Sequence, residues 1–387
     1  MAASLIPLTL PARAPQERAY LERALERGHL HGDGLLSLQA TALLSRLLDG
    51  APALLTTSCT HALELMALLF GLEPGDEVVL PSFTFPSTAN AFALRGCRLR
   101  FADIDAATWS AERPQIEAAL TSATKAVVTM GYGGVQRDVV ALEQLCRARR
   151  LWWGEDAAHG LFARQDGRAL GTIGALGALS FHSTKNVTCG EGGALVVNDP
   201  TLLERAELLR EKGTDRARFL RGEVPAYRWQ DIGSSYLPSE VLGALLCAHL
   251  EHAPTTQAAR QSALAVYTEV IGAQAARLGL SLQQVPAGAV GPAHVFALLL
   301  PHDLDRGAVI TAMRERGVVV ASHYEPLHRA PAASRCAEPV ELPTTDDVAA
   351  RLLRLPLHAQ LSIDDAYRVA ATFIDVAERV GRRLQPA

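Results

Sequence analysis

Three clusters in this 387-residue chain hold groups able to do chemistry. The first is Ser58-Cys59-Thr60, where a short apolar run gives way to an apolar helical pattern. Hydroxyls beside the unpaired N–H groups of a helix start form an anion site. The same residues also suit a plain N-cap. The second is Glu155-Asp156-Ala157-Ala158-His159, directly after the apolar run LWWG. A carboxylate there can face a ligand or cap the next turn. Asp156 and His159 have no third neighbour of metal-ligand type, so no metal site is read. The third is Ser180-Phe181-His182-Ser183-Thr184-Lys185-Asn186, followed by Gly190-Glu191-Gly192-Gly193. A desolvated lysine among hydroxyls loses its charge readily and can form a Schiff base. A solvated loop lysine has the same sequence, and the glycines also suit a hairpin turn. Gly131-Tyr132-Gly133-Gly134 continues Val135-Gln136, so it lacks the last glycine of a dinucleotide loop. His249 and His252 read as surface or packing residues.

Each cluster is modest alone; together they describe a phosphate cradle, a carboxylate, an aromatic and a lysine. That combination suits pyridoxal 5'-phosphate. The lysine carries the aldehyde, the carboxylate keeps the ring nitrogen protonated, and the helix start holds the phosphate. An aromatic such as Phe85 packs on the ring face. Lysine is scarce: of 37 basic residues only Lys125, Lys185 and Lys212 carry an amine. Compositional bias toward Arg and Ala accounts for the scarcity.

The elements that must position these groups follow from periodicity. Helical spacing covers 15–28 and 35–49, with HLHGDG as the turn between them. Strands are expected at 53–57, 78–80, 97–105, 126–130 and 151–155, with helices at 62–70, 87–94 and 138–149 between them. This alternation predicts an α/β fold, a mostly parallel sheet wrapped by helices. Ligands then gather at the carboxyl ends of the strands, where the clusters lie. Two β runs flank Lys185 within 176–197. HAPTT at 252–256 is read as the passage into a helix over 257–277. A strand at 294–300 and helices at 305–316 and 363–384 complete a smaller α+β domain. The expected domains are 1–254 and 255–387.

Composition excludes other classes. With 49% hydrophobic and 20% charged residues and a net charge of −4, the chain is globular and has no basic field for nucleic acid. No apolar run is long enough to span a bilayer, so no membrane partner is expected. MAASLIPLTLPAR lacks the charged and apolar regions of a secretory signal. The six cysteines form no CxxC pair and read as reduced thiols of a cytoplasmic protein.

The order SCTHALEL, LPSFTFPST, GEDAAHG and SFHSTKNVTCGEGG resembles the sugar-nucleotide aminotransferases of the DegT/DnrJ/EryC1/StrS group, over about residues 25–330. A narrower likeness is to the dTDP-4-amino-4,6-dideoxygalactose transaminases of bacterial surface-polysaccharide pathways. It rests on EKGTDRARFLRGEVPAYRWQDIGSSYLPSE at 211–240 and on HLHGDG. The resemblance implies a fold-type I pyridoxal-phosphate enzyme with a seven-stranded type of sheet, working as a homodimer with shared sites. Its substrates would be a nucleotide sugar and L-glutamate. By motif position, Lys185 is the implied Schiff-base lysine and Asp156 the partner of the ring nitrogen. Phe85 stacks on the ring, and His159 lies near its other face or its oxygen. Ser58, Cys59, Thr60 and Ser180 hold the phosphate. His323 and Tyr324, in ASHYEPLH, match a region that reaches the sugar nucleotide. Much of the wider family reads G-Y-N-Y-R-M from the position of Gly233. Here Ser235 stands at the Asn position and Leu237-Pro238 replace Arg-Met. Ser235 is then the implied donor to the neighbouring subunit's phosphate. The alternatives are a sister aminotransferase acting at C3 or giving the gluco product, a dehydratase, and a non-catalytic protein. Dehydratases of this fold carry His at the lysine position.

Overall fold

The computed structural model describes residues 5–383. The outer ends of the two expected domains, and residue 384 of the expected terminal helix, lie outside the described residues. The central sheet has seven strands: β1 (Ala53–Thr56), β2 (Glu77–Pro81), β3 (Arg98–Ala102), β4 (Thr124–Met130), β5 (Trp152–Asp156), β6 (Leu176–Ser180) and β7 (Gly193–Val197). Their spatial order is β1-β7-β6-β5-β4-β2-β3. All run parallel except β7, which is antiparallel to both its neighbours.

The apolar runs are buried on both faces, and the period of two sorts them. Val78 and Leu80 face the helix Cys59–Leu69, whereas Val79 and Val127 face the helix Val139–Arg149. A third cluster joins β1 and β7 to the helices Glu17–Arg27 and Leu35–Leu47 and to the first half of the helix Glu240–Val270.

The helix expected to start after HAPTT and run over 257–277 is not separate. One helix runs from Glu240 to Val270 with Pro254 inside it. An internal proline forfeits a hydrogen bond and costs about 3 kcal/mol. Burial on both sides of it outweighs that cost: Ala244–Ala253 pack against the large sheet's cluster, and Ala263–Tyr267 against the small sheet's. Glu240 also caps another helix. Its carboxylate accepts from the Leu36 N–H at 2.6 Å, the Ser37 N–H at 3.2 Å and the Ser37 hydroxyl at 2.5 Å. The helix Leu35–Leu47 has only Gly34 at its N-cap, so this distant carboxylate satisfies its start.

The C-terminal part folds on an antiparallel sheet of β8 (Ser281–Leu282), β9 (Phe296–Leu299) and β10 (Leu352–Leu355), backed by the helix Ile363–Arg383. A smaller cluster, including Phe83, Met130, Tyr132, Ala297 and Leu352, joins the two sheets.

Candidate active site

A cavity of about 540 Å3 opens where the carboxyl ends of β1, β2, β5 and β6 meet the C-terminal sheet. A larger surface groove, about 680 Å3, follows the edge strand β3 and contains none of the three clusters.

The floor is the start of the helix Cys59–Leu69. Ser58 caps it, its hydroxyl accepting from the His61 N–H at 3.1 Å. The N–H groups of Cys59 and Thr60 belong to the first helical turn and have no intrahelical acceptor. The Thr60 and Ser87 hydroxyls, from two helix starts, meet at 2.7 Å. Gly193 makes the approach possible: a Cβ there would lie 2.4 Å from the Cys59 nitrogen. Only glycine lets β7 run so close beneath the cradle.

The two carboxylates at the end of β5 split by strand alternation. Glu155 turns away and accepts from the N–H groups of Gly171 (2.9 Å), Ile173 (2.7 Å) and Gly174 (2.8 Å). Asp156 turns into the cavity and accepts from the Thr88 hydroxyl at 2.6 Å and the Ala158 N–H at 3.1 Å. Burial raises the Asp156 carboxyl above the usual carboxylate range, while Thr88, Ala158 and the Lys185 amine pull it back. A cation placed against it would hold it ionised.

Lys185 sits in the loop that joins β6 and β7, with its N–H tied to the His182 carbonyl at 2.9 Å. Burial lowers its amine from the ordinary lysine range, with Cys59 and Asp156 acting the other way. Around it stand neutral rings. Burial, aided by Lys185, drives His159 and His294 well below the usual imidazole range. The His159 Nδ1 accepts from the Gly133 N–H at 3.2 Å, and its Nε2 meets the Tyr324 hydroxyl at 3.3 Å. His323 meets the Tyr132 hydroxyl at 3.0 Å.

Of the sequence candidates, Ser58, Cys59, Thr60, Phe85, Asp156, His159, Ser180, Lys185, His323 and Tyr324 all line this cavity. Phe85 is 58% exposed, with its ring centroid 6.4 Å from that of Tyr324. Ser235 does not line it. It is exposed, with its backbone bridged to Glu211, while its neighbour Tyr236 accepts from the Thr57 N–H at 2.9 Å. Lys212 is likewise outside, 2.8 Å from Glu211. Sequence reasoning missed Thr88, His294 and Arg354. Thr88 stood in the quoted motif LPSFTFPST without a role. Arg354 was signalled as the charged residue of an otherwise apolar strand.

The donor set fits pyridoxal 5'-phosphate. It combines a glycine-relieved cradle for a phosphate, a buried carboxylate for a ring cation and an amine of lowered basicity for an aldehyde. Comparison with known proteins agrees. Residues 12–374 match the DegT/DnrJ/EryC1/StrS aminotransferase family. The chain is 32% identical to a dTDP-4-dehydro-2,3,6-trideoxy-D-glucose 4-aminotransferase of Saccharopolyspora spinosa, covering 85% of this chain and 86% of that one. Among solved structures, the aminotransferase TlmJ of Streptoalloteichus hindustanus superposes with a TM-score of 0.88 at 29% identity, covering 97% of this chain and 99% of that one. 3-Amino-5-hydroxybenzoic acid synthase superposes with a TM-score of 0.87 at 26% identity, covering 98% and 100%.

Proposed function

The chain belongs to the DegT/DnrJ/EryC1/StrS aminotransferase family, and on that premise we propose that it aminates C4 of dTDP-4-keto-6-deoxy-D-glucose. L-Glutamate is the donor, and the products are dTDP-4-amino-4,6-dideoxy-D-galactose and 2-oxoglutarate. The observation that carries the reading is the convergence of Lys185, Asp156 and the Ser58–Thr60 helix start on one cavity.

The cofactor is pyridoxal 5'-phosphate, which when bound supplies an aldehyde to take up the amino group and a ring to store the electrons of a broken C–H bond. The chain's own residues do the rest. Cys59, Thr60 and Ser180 bind the phosphate through backbone N–H groups and hydroxyls. Asp156 holds a proton on the ring nitrogen, and Thr88 orients the carboxylate from behind. Lys185 Nζ would hold the cofactor through its aldehyde. The free Lys185 amine would accept the proton from the donor's α-carbon and deliver one to C4 of the sugar. Its lowered basicity keeps a share of it neutral and able to accept that proton. The neutral imidazoles and phenols around Lys185 line the cavity without adding charge.

The proposal includes a homodimer in which exposed Ser235 serves the neighbouring copy's phosphate cradle. It also includes a place in cytoplasmic surface-polysaccharide synthesis, and two domains meeting within the long helix near residue 254. Among the described residues, no helix is long and apolar enough to cross a membrane. The Saccharopolyspora spinosa relative favours a second acceptor, the 2,3,6-trideoxy sugar in its name. Incubation with glutamate and each acceptor, followed by NMR of the product, separates the two. An axial amine at C4 of the 6-deoxy sugar is expected. An equatorial amine, an amine at C3 or turnover of the trideoxy sugar alone would sink the proposal. Lys185→Ala should lose both the visible absorbance of the loaded protein and all transamination.

A further inference from the structure

His294 stands two residues before β9, in the segment that enters the small sheet. Its backbone carbonyl accepts from the Arg260 guanidinium at 2.7 Å, and Arg260 also holds the Ala293 carbonyl at 2.9 Å. Its Nδ1 meets the Asn186 Oδ1 at 2.8 Å. Asn186 directly follows Lys185 and is itself fixed. Its amide nitrogen donates to the Pro292 carbonyl at 2.7 Å and to the Gln257 Oε1 at 3.2 Å. These bonds lock the two segments together. They hold the imidazole on the cavity wall beside the lysine, its ring centroid 4.2 Å from that of His159.

These partners fix where the ring carries its proton. The Asn186 amide nitrogen is committed to two acceptors, so its oxygen faces His294 and Nδ1 must donate. The ring is neutral, because burial and the Lys185 charge both disfavour a second proton. Nε2 therefore keeps a bare lone pair. Among the described residues it has no hydrogen-bond partner, and the residue lines the cavity. A rigid acceptor without a donor, on the wall of a ligand-sized cavity, suits a ligand that brings a hydroxyl.

We propose that Nε2 of His294 accepts a hydrogen bond from the C3 hydroxyl of the sugar acceptor, a proposal that rests on the aminotransferase reading above. His294 thereby selects sugars oxygenated beside the reacting carbon. The chemistry of the groups the site must take makes the choice. The cofactor phosphate, the glutamate carboxylates and the C4 ketone are themselves acceptors and do not pair with a lone pair. The donor's amine is the group that passes to the cofactor. Sugar hydroxyls remain. Lys185 must reach C4 to deliver a proton, and Asn186 ties His294 beside that lysine. The C3 hydroxyl sits on a carbon bonded to C4, and no other hydroxyl of the 6-deoxy sugar is so close to the reacting centre.

The test compares kcat/KM of the protein loaded with pyridoxal 5'-phosphate for two acceptors. One is dTDP-4-keto-6-deoxy-D-glucose; the other is its analogue lacking only the C3 hydroxyl. Both use the same donor and the same lysine, so any effect passed through Lys185 cancels in their ratio. The wild type should favour the hydroxylated acceptor on the order of 10- to 100-fold, because the analogue leaves Nε2 unpaired. His294→Asn puts an amide nitrogen where Nδ1 stands, which keeps the tie to Asn186, and has nothing in place of Nε2. Its ratio should fall close to one. His294→Gln reverses this: it reaches toward the place of Nε2 with an acceptor and gives up the tie. It should keep more of the preference than His294→Asn. His294→Phe, which keeps the ring without either nitrogen, replaces the asparagine variant should that variant fail to load. A wild-type ratio at or below one overturns the proposal whatever the variants do. So does a His294→Asn ratio equal to the wild type's, which would assign His294 to holding Lys185 alone, or a glutamine variant less selective than the asparagine variant. Where the wild type aminates the hydroxylated acceptor, each of these results leaves the aminotransferase reading intact. A wild type that aminates neither acceptor sinks the reading and the proposal with it.

Discussion

Asp156 shows how neighbours prepare one side chain. Thr84 and Thr88 form a hydroxyl chain, 2.8 Å apart, that ends on the carboxylate at 2.6 Å. The chain orients a group whose burial alone would favour its neutral form. Asp156→Asn keeps the shape and the Thr88 contact but removes the charge that would face a ring cation. Loss of one preorganised electrostatic partner costs on the order of 100- to 1000-fold in kcat. We expect that loss with cofactor still bound and the melting temperature little changed; near wild-type turnover would refute the role. Thr88→Val removes the orienting hydroxyl and leaves the charge. Its expected cost is about tenfold, corresponding to about 1.5 kcal/mol for a hydrogen bond to a charged group. Asp156 was legible in the sequence because its type and its place after an apolar strand both pointed to a ligand. Thr88 was not, because a threonine four residues after another threonine in a helix start has many uses.

At the scale of elements, the site depends on β7 passing close beneath the helix Cys59–Leu69. A Cβ at Gly193 would meet the Cys59 nitrogen and the Ser58 carbonyl carbon, both at 2.4 Å. Backbone atoms on both sides leave no side chain to give way, so Gly193→Ala must move the cradle. Overpacking of this kind costs about 1–3 kcal/mol. Its specific consequence is for the phosphate. The variant should lose at least about tenfold of the preference for pyridoxal 5'-phosphate over pyridoxal, measured by titration of each into apoprotein. An unchanged preference would show that the cradle does not hold the phosphate. The sheet that makes this crossing was readable from alternating apolar runs and helical spacing. The flat run GALVVND declared a strand but not its reversed direction, which depends on pairing with β1 far away in sequence. The long helix escaped for the opposite reason. Pro254 is a strong local breaker, and only burial against two separate cores overrides it.

Across the whole molecule, the cavity lies at the junction of two cores, so the chain's stability and its chemistry share the loops between them. Glu112 knots several of these loops. It is buried, accepting from the Thr108 hydroxyl at 2.7 Å, the Gln136 amide at 3.2 Å and the Arg137 N–H at 3.1 Å. Burial nevertheless dominates and pushes its carboxyl up to about 7. A carboxyl whose folded value exceeds its unfolded one binds its proton more tightly when folded. Its contribution is fully present below the unfolded value, near 4.5, and is lost as pH rises through about 7. The whole protein should therefore lose stability across that window, by about 3 kcal/mol at most at 1.36 kcal/mol per unit. Glu112→Gln keeps the shape without the titration. Urea midpoints for wild type and variant between pH 5 and about 8 isolate the term, because other titrating groups cancel in the difference. The wild type should fall relative to the variant as pH rises. A difference that stays flat, or that grows in the wild type's favour, would show that the hydrogen bonds and Arg137 outweigh burial and hold Glu112 ionised.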